Sequence, residues 1–220
     1  MARAGNPAGG RRPTSHERMA GRPWDASYAD GPPPWDIGRP QPAVARLAAA
    51  GGFAGSVLDA GCGTGENALL VAALGRLVVG FDVAETALAA ARAKAAERGL
   101  DAEFVAADAL RLPGAGLARL GLVFDTVLDC GLFHSFDGGE RRGYVASLAS
   151  VTGPGATLHV LCFNDAGPDA GPHPVSEEEL LAAFGPGTGW DVTAVQQERL
   201  LTRFHGKDGA PAWLATVNRT

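Results

Sequence analysis

VLDAGCGTGEN, residues 57–67, runs from an apolar stretch through glycines at 61, 63 and 65 into an acidic helix start. Glycine is needed where backbone turns tightly or comes close to a ligand with no Cβ in the way. Such a loop directly after a strand binds a nucleotide, and its spacing restricts which one. A dinucleotide fingerprint would place glycines at 61, 63 and 66, but position 66 is glutamate. A carboxylate in the first helical turn opposes a pyrophosphate held at that N-terminus. No Gly-Lys-Ser/Thr follows, so the loop is not a P-loop. The loop suits a nucleoside-like ligand without phosphates.

Outward from this loop the chain alternates. Strands are predicted at 56–59, 76–81, 102–106, 122–128, 156–163, 190–195 and 212–218. Helices are predicted at 66–74, 84–98, 140–151 and 176–184, with a short one through Val44, Leu47 and Ala48. Gly99 is placed as a helix C-cap, and Ser176 with Glu179 forms a capping-box signature. Strands separated by helical segments imply an α/β fold, doubly wound, with helices on both faces of a mostly parallel sheet. Residues 198–211 have too little helical pattern for a crossover, so the last strands should pair antiparallel.

Two acids repeat the placement of the glycine loop. Asp82 ends the second strand in VVGFDV, where it can accept from both hydroxyls of a ribose, with Val83 beside it. Asp108 follows the third strand in VAADAL, within reach of an adenine amino group, with the Ala109 amide nearby. Asp59, just before the glycines, can orient the loop or receive an ammonium group. An Asp at a strand end often only caps the next helix. Three of them at the ends of successive strands, with GxGxG on the first, favour a ligand. Ribose, adenine and a cationic amino-acid end are the parts of S-adenosylmethionine (SAM).

On these residues the sequence resembles the class I SAM-dependent methyltransferases from about residue 24 to the C-terminus, with VLDAGCGTG among the more specific motifs of that superfamily. The resemblance implies a Rossmann-like, seven-stranded sheet whose last strand is antiparallel. Upstream, PPWDIGRPQP (33–42) is similar to the WDxGxxxP segment of the plant halide/thiol methyltransferases and the thiopurine methyltransferases. Trp35 matches the Trp of that motif and Trp24 a second one eleven residues earlier, which implies that both close over the methionine end of SAM. GCGTGENALLVA, FDTVLDCGLFHSF and PAWLATV resemble bacterial enzymes that methylate phenolic or heterocyclic compounds. Cys130 stands where the halide/thiol enzymes carry Tyr, which weakens any transfer of halide specificity.

The acceptor should lie beyond the fourth strand, where parallel sheets place ligands. In DCGLFHSFD, Asp129 and Cys130 should border SAM, and Leu132, Phe133, His134 and Phe136 should line an acceptor pocket. Methyl transfer needs chiefly alignment and exclusion of water, and only a neutral hydroxyl gains from a base. His134 is the first candidate base. His173, in the Gly/Pro-rich segment NDAGPDAGPHPV that resembles a lid over the acceptor, is the second. His159 reads as structural, His205 as a residue of the pocket's outer edge, and Cys130 and Cys162 as small apolar fillers. No metal site is expected.

Composition excludes other classes. The 220 residues carry a formal charge of -5, so nothing favours nucleic acid or an anionic membrane, and no apolar run is long enough to span one. No Asn/Asp-Pro-Pro-Tyr-like motif follows the fourth strand, which argues against methylation of nucleic-acid bases. Three widely spaced cysteines fit a reducing cytoplasm rather than a disulfide framework. Residues 1–22, rich in Gly, Pro and Arg, read as a disordered basic tail before a single domain at 23–220. That domain opens with an aromatic, proline-stiffened flap at 23–42. The expected activity is methyl transfer from SAM to oxygen, nitrogen or sulfur of a small aromatic or heterocyclic molecule. A halide/thiol methyltransferase is the nearest alternative. A SAM-binding protein without methyl transfer and a scaffold with a vestigial loop are the others. The oligomeric state is not readable.

Overall fold

The computed structural model describes residues 11–114, 117, 121–166 and 172–220. Seven strands form one sheet: β1 Ser56–Ala60, β2 Leu77–Asp82, β3 Glu103–Ala106, β4 Phe124–Cys130, β5 Thr152–Phe163, β6 Trp190–Leu200 and β7 Ala210–Arg219. Their spatial order is β3-β2-β1-β4-β5-β7-β6. β1 to β5 pair in parallel, and β7 lies antiparallel between β5 and β6. This is the doubly wound sheet with an antiparallel end that the alternation implied.

The register positions the site. Ala60 is level with Phe81 of β2 on one side and Asp129 of β4 on the other. Gly61, Asp82 and Cys130 therefore leave the sheet along one edge. The chain crosses from β1 outward to β2 in one direction and reaches β4 in the other, so the crevice of a doubly wound sheet opens above β1.

Helices α2 Pro42–Ala49, α3 Glu66–Ala73, α4 Glu85–Arg98, α5 Gly138–Ala149 and α6 Glu177–Ala183 cover the two faces. One core joins Leu58, Phe81, Val127, Phe133, Tyr144, Leu148, Phe184 and Trp190. The other joins Val44, Phe53, Val57, Leu69, Leu88, Phe104 and Leu161 on the opposite face.

Several boundaries move for local reasons. α5 starts at Gly138 rather than 140, because Asp137 caps it and accepts from Gly139 and Glu140. β6 and β7 pair as far as Leu200 with Ala210, leaving a shorter connection than 198–211. The apolar pattern fades there because β6 is largely exposed, while its backbone still pairs.

The expected tail is corrected from residue 11 onward. Ser15–Ala20 form a helix, α1, capped by Thr14 in a capping box with Glu17. It is tied to α5 by the Ser15 hydroxyl on Glu140 at 2.6 Å and by Arg18 on Asp137 and Glu140. The buried Glu17 carboxylate receives the Arg11 guanidinium and the Trp24 backbone N–H. Polar anchoring replaces apolar periodicity in this segment, which is why composition concealed it. Residues 1–10 lie outside the described residues.

Candidate functional site

A cavity of about 900 Å³ opens above β1, β2 and β4. That is near the upper end of ligand pockets, roughly 300–1,000 Å³, and leaves room for a nucleoside-sized molecule and a second small one. Its floor at one end is the glycine loop with Asp82, Val83, Asp108 and Ala109. Its cover is Trp24, Tyr28, Trp35 and His16. At the other end lie Cys130, Leu132, His134, Phe136, Phe163 and the connection between β6 and β7.

The loop is fixed by backbone chemistry. Gly61, Gly63 and Gly65 have φ of 66°, 52° and 82°, which L side chains rarely adopt. A Cβ on Gly63 would meet the Tyr28 hydroxyl at 3.1 Å, and one on Gly65 would strike Ala91 and the Phe104 ring at 2.9 Å. Asp82 accepts the Gly63 N–H on one oxygen and the Ala84 N–H on the other, each at 2.9 Å. Each carboxylate oxygen retains a lone pair for a ligand hydroxyl. Asp108 uses Oδ1 on the Leu110 N–H at 3.0 Å. Its Oδ2 makes no hydrogen bond within the described residues.

The flap is tied to this loop. Asp36 accepts from the Thr64 hydroxyl at 2.8 Å, and the Trp35 indole N–H donates to the Tyr28 hydroxyl at 3.1 Å. Trp24 packs edge-on to Trp35 with centroids 5.6 Å apart and is stacked on the other side by His16 at 4.4 Å. The far end of the flap is held by the Arg203 N–H on the Pro34 carbonyl. Tyr28, His16 and Arg11 line the cavity and were not singled out in the sequence. Tyr28 lay unremarked among the flap aromatics, and the other two were assigned to the tail.

Two of the predicted acids are corrected in position. Asp59 and Asp129 are buried beneath the cavity and do not line it. Asp129 accepts from the Tyr144 hydroxyl at 2.8 Å and from the N–H groups of Leu132 and Phe133, so it shapes the turn after β4. Burial pushes its pKa up to about 6. Burial, with Asp129 and Asp82 nearby, pushes Asp59 up to about 7, and its Oδ2 has no hydrogen-bond partner. Asp82 is also raised by burial. Three carboxylates thus lie under the glycine loop with charge that a cationic ligand would relieve. The Cβ-free loop and the open lone pairs of Asp82 fit SAM, and the unpaired Asp59 oxygen buried beneath the loop fits the charge of a cationic ligand rather than a contact with it.

Glu66 is paired with Lys94 and Arg98, which hold its carboxyl below the usual range despite burial. Its repulsion of a pyrophosphate is therefore smaller than the sequence implied, and the case for a phosphate-free ligand rests on Asp82, Asp108 and the buried carboxylates.

Of the candidate bases, His134 lines the cavity and His173 does not. The His173 carbonyl holds Arg141 at 2.9 Å, while its ring lies behind the cavity wall with Nε2 buried and without a partner. Residues 167–171 of the expected lid lie outside the described residues. His134 Nδ1 accepts the Phe163 N–H at 3.2 Å, and burial lowers the ring's pKa to about 3. His159 is buried, with Nε2 2.9 Å from the Gly52 carbonyl. His205 stands at the cavity edge beside Phe163 and pairs with the Thr202 hydroxyl. Among the described residues no His/Cys/Asp/Glu cluster could hold a metal ion.

Residues 57–155 match the family model described as "Methyltransferase domain". The chain is 42% identical over 182 residues to a 2-heptyl-1-hydroxyquinolin-4(1H)-one methyltransferase of Mycobacteroides abscessus, covering 80% of this chain and 77% of that one. It is 30% identical over 143 residues to the Arabidopsis thaliana protein named "Probable thiol methyltransferase 2", covering 64% and 61%. A solved structure concerned with conversion of a disulfide bond into a thioacetal group during echinomycin biosynthesis superposes with TM-score 0.75. It is 38% identical and covers 85% of each chain.

Proposed function

The chain belongs to the SAM-dependent methyltransferases, and from that premise we propose that its acceptor is a small aromatic or heteroaromatic molecule methylated on oxygen. SAM, when bound, supplies an electrophilic methyl group on a sulfonium. The observation that carries the reading is one continuous cavity with two chemically different ends. The glycine-loop end offers Asp82 and Asp108 to ribose and adenine. The other end offers Phe136, Phe163, Leu132 and His134, a mostly apolar wall with few polar groups, as small-molecule sites have. Phe204 lines the cavity yet is 78% exposed, so apolar surface continues to the mouth and suits an acceptor with an apolar extension.

The resemblance to a hydroxyquinolone methyltransferase supports a hydroxyl on a flat ring system. Asp82 is assigned to the ribose, and Asp108 with Ala109 to the adenine. Gly61 and Gly63 take the backbone approach, and Trp24, Trp35 and Tyr28 the sulfonium and methionine end. The residues' work is to align the acceptor with the methyl carbon and keep water out. Thiols form a second reading, favoured by the likeness to a thiol methyltransferase. With a net charge of -5, small acceptors are favoured over nucleic acid. No helix among the described residues is long and apolar enough to cross a membrane, and the three free cysteines fit the cytoplasm.

The test is incubation of the purified protein with SAM and three panels: hydroxylated aromatic rings, N-heterocycles and thiols. Product mass and S-adenosylhomocysteine release are both followed. Methylation confined to the hydroxylated rings supports the proposal, thiol products would move it to the second reading, and no methylated product would overturn it.

A further inference from the structure

Resting on that reading of the acceptor, we infer that His134 presents a fixed Nε2–H to the reacting oxygen, and that the acceptor enters already ionised as an aromatic oxyanion. The residue then acts as a hydrogen-bond donor to the nucleophile and not as the base that creates it.

The tautomer follows from geometry. His134 sits in the 3-10 turn Phe133–Ser135 that follows β4. Its ring packs on Phe163 with centroids 4.3 Å apart, and Nδ1 accepts the Phe163 backbone N–H at 3.2 Å. A neutral imidazole has one donor nitrogen and one acceptor nitrogen, so the proton resides on Nε2. For Nε2 to accept a proton, Nδ1 would have to hold one too, either as the cation or as the other tautomer. Nδ1–H would then face the Phe163 N–H, donor against donor, in a buried place. Nε2 itself has no partner among the described residues, and the ring lines the cavity.

The surroundings agree. The groups acting on the ring are His16 of α1, Arg141 of α5 and His173 of the segment before α6, and each can only add positive charge. Burial first, and these groups after it, lower the pKa of the ring to about 3 and so favour its neutral form. The carboxylates that line the cavity are Asp36, Glu66, Asp82 and Asp108, all of the flap, the glycine loop and the ends of β2 and β3. Arg141 and His173 act on the ring from behind the cavity wall without lining it, and their buried Nε and Nε2 atoms are unpaired. An anion is stabilised in such a place, and a neutral hydroxyl gains little.

In the transfer, an oxygen lone pair of the acceptor forms the O–C bond as the methyl C–S bond breaks. The bonding pair stays on sulfur, and S-adenosylhomocysteine leaves. The charges of the oxyanion and the sulfonium cancel, and no proton is moved. A hydrogen bond from Nε2–H lowers the cost of keeping the oxyanion away from water and aims its remaining lone pair.

The experiment titrates a nitrophenol, whose absorbance reports its ionisation, bound to the protein with S-adenosylhomocysteine. The expected result is that its apparent pKa falls by about one pH unit or more on binding. His134→Leu should remove most of that fall, while His134→Gln, which keeps a side-chain N–H in reach, should retain part of it. In turnover, kcat/KM for phenols of graded acidity should rise with pH through each phenol's own pKa. His134→Leu should lower it about ten- to a hundredfold, mainly through KM, and His134→Gln should recover to within about tenfold of the unsubstituted protein. A bound phenol with unchanged or raised pKa overturns the inference. So does one common inflection for all acceptors that shifts with His16→Gln, which would place a base in the protein. If SAM methylates none of the acceptors, the acceptor reading fails, and the absorbance titration still separates donor from base.

Discussion

At the scale of single residues, the carboxylates divide between ligand and fold. Asp82 keeps lone pairs open to the cavity while securing Gly63 and Ala84, so its loss removes both a ligand contact and the loop's anchor. Asp82→Ala should weaken S-adenosylhomocysteine by at least about a hundredfold, since hydrogen bonds to a charged group are worth about 1.5–3 kcal/mol each. In a thermal melt, the stabilisation of about 2.7 kcal/mol seen at a hundredfold excess over Kd would then all but vanish. Asp59 contributes differently. Its carboxyl titrates near 7 when folded, against about 3.9 in an unfolded chain. A pKa raised by folding favours the native state most below about pH 4, and that contribution is lost as pH rises through about 7. Asp59→Asn removes the ionisable group while leaving an amide of the same shape. The substitution should stabilise the ligand-free protein by on the order of 3–4 kcal/mol at pH 8 and about 1–2 at pH 5. Melting temperatures of both proteins at the two pH values check it. An equal effect at both would mean that Asp59 is not held protonated.

At the scale of elements, the strands and helices that carry apolar periodicity were legible, and those held by polar contacts were not. β1, β2 and β4 are buried along most of their length, and short apolar runs revealed them. The glycine loop was legible because its positive φ values leave glycine little competition. α1 has no apolar stripe; it is a six-residue helix whose buried residues are Ser15 and Glu17. The capping pair Thr14 and Glu17 was its only signal, and the surrounding Gly, Pro and Arg outweighed it. Asp129 was misplaced for a related reason: a strand end locates the Cα but does not say whether the side chain turns up to the cavity or back to Tyr144. Since Arg11, Thr14 and His16 line the cavity, the segment before the flap is part of the site. A chain beginning at residue 23 should still melt cooperatively, because both apolar cores lie outside α1. It should lose about tenfold or more in kcat/KM for the acceptor through the missing wall and the unpaired Glu140. An unchanged kcat/KM would return the segment to the status of a tail.

At the scale of the whole molecule, the sheet gathers three acids that form no ion pair among the described residues. Asp59, Asp82 and Asp129 come from β1, β2 and β4, which the register brings level, and the last two raise the pKa of the first. With its pKa raised to about 7, Asp59 is partly protonated in the ligand-free protein near neutral pH, and Asp129, raised to about 6, takes up its proton as the pH falls toward 6. A sulfonium and an ammonium placed above them favour the ionised forms, so binding of SAM should expel protons. S-adenosylhomocysteine has the ammonium but no sulfonium charge and should expel fewer. Calorimetry of both ligands in two buffers of different ionisation enthalpy gives the number released. Because the acids supply more negative field as they ionise, the affinity ratio of SAM to S-adenosylhomocysteine should rise between pH 6 and pH 8. Asp59→Asn should flatten that rise, since it leaves the pocket's shape and removes the group that titrates highest. A ratio independent of pH, with no proton release, would mean that the buried acids fix the loop alone and take no part in holding a cationic cofactor.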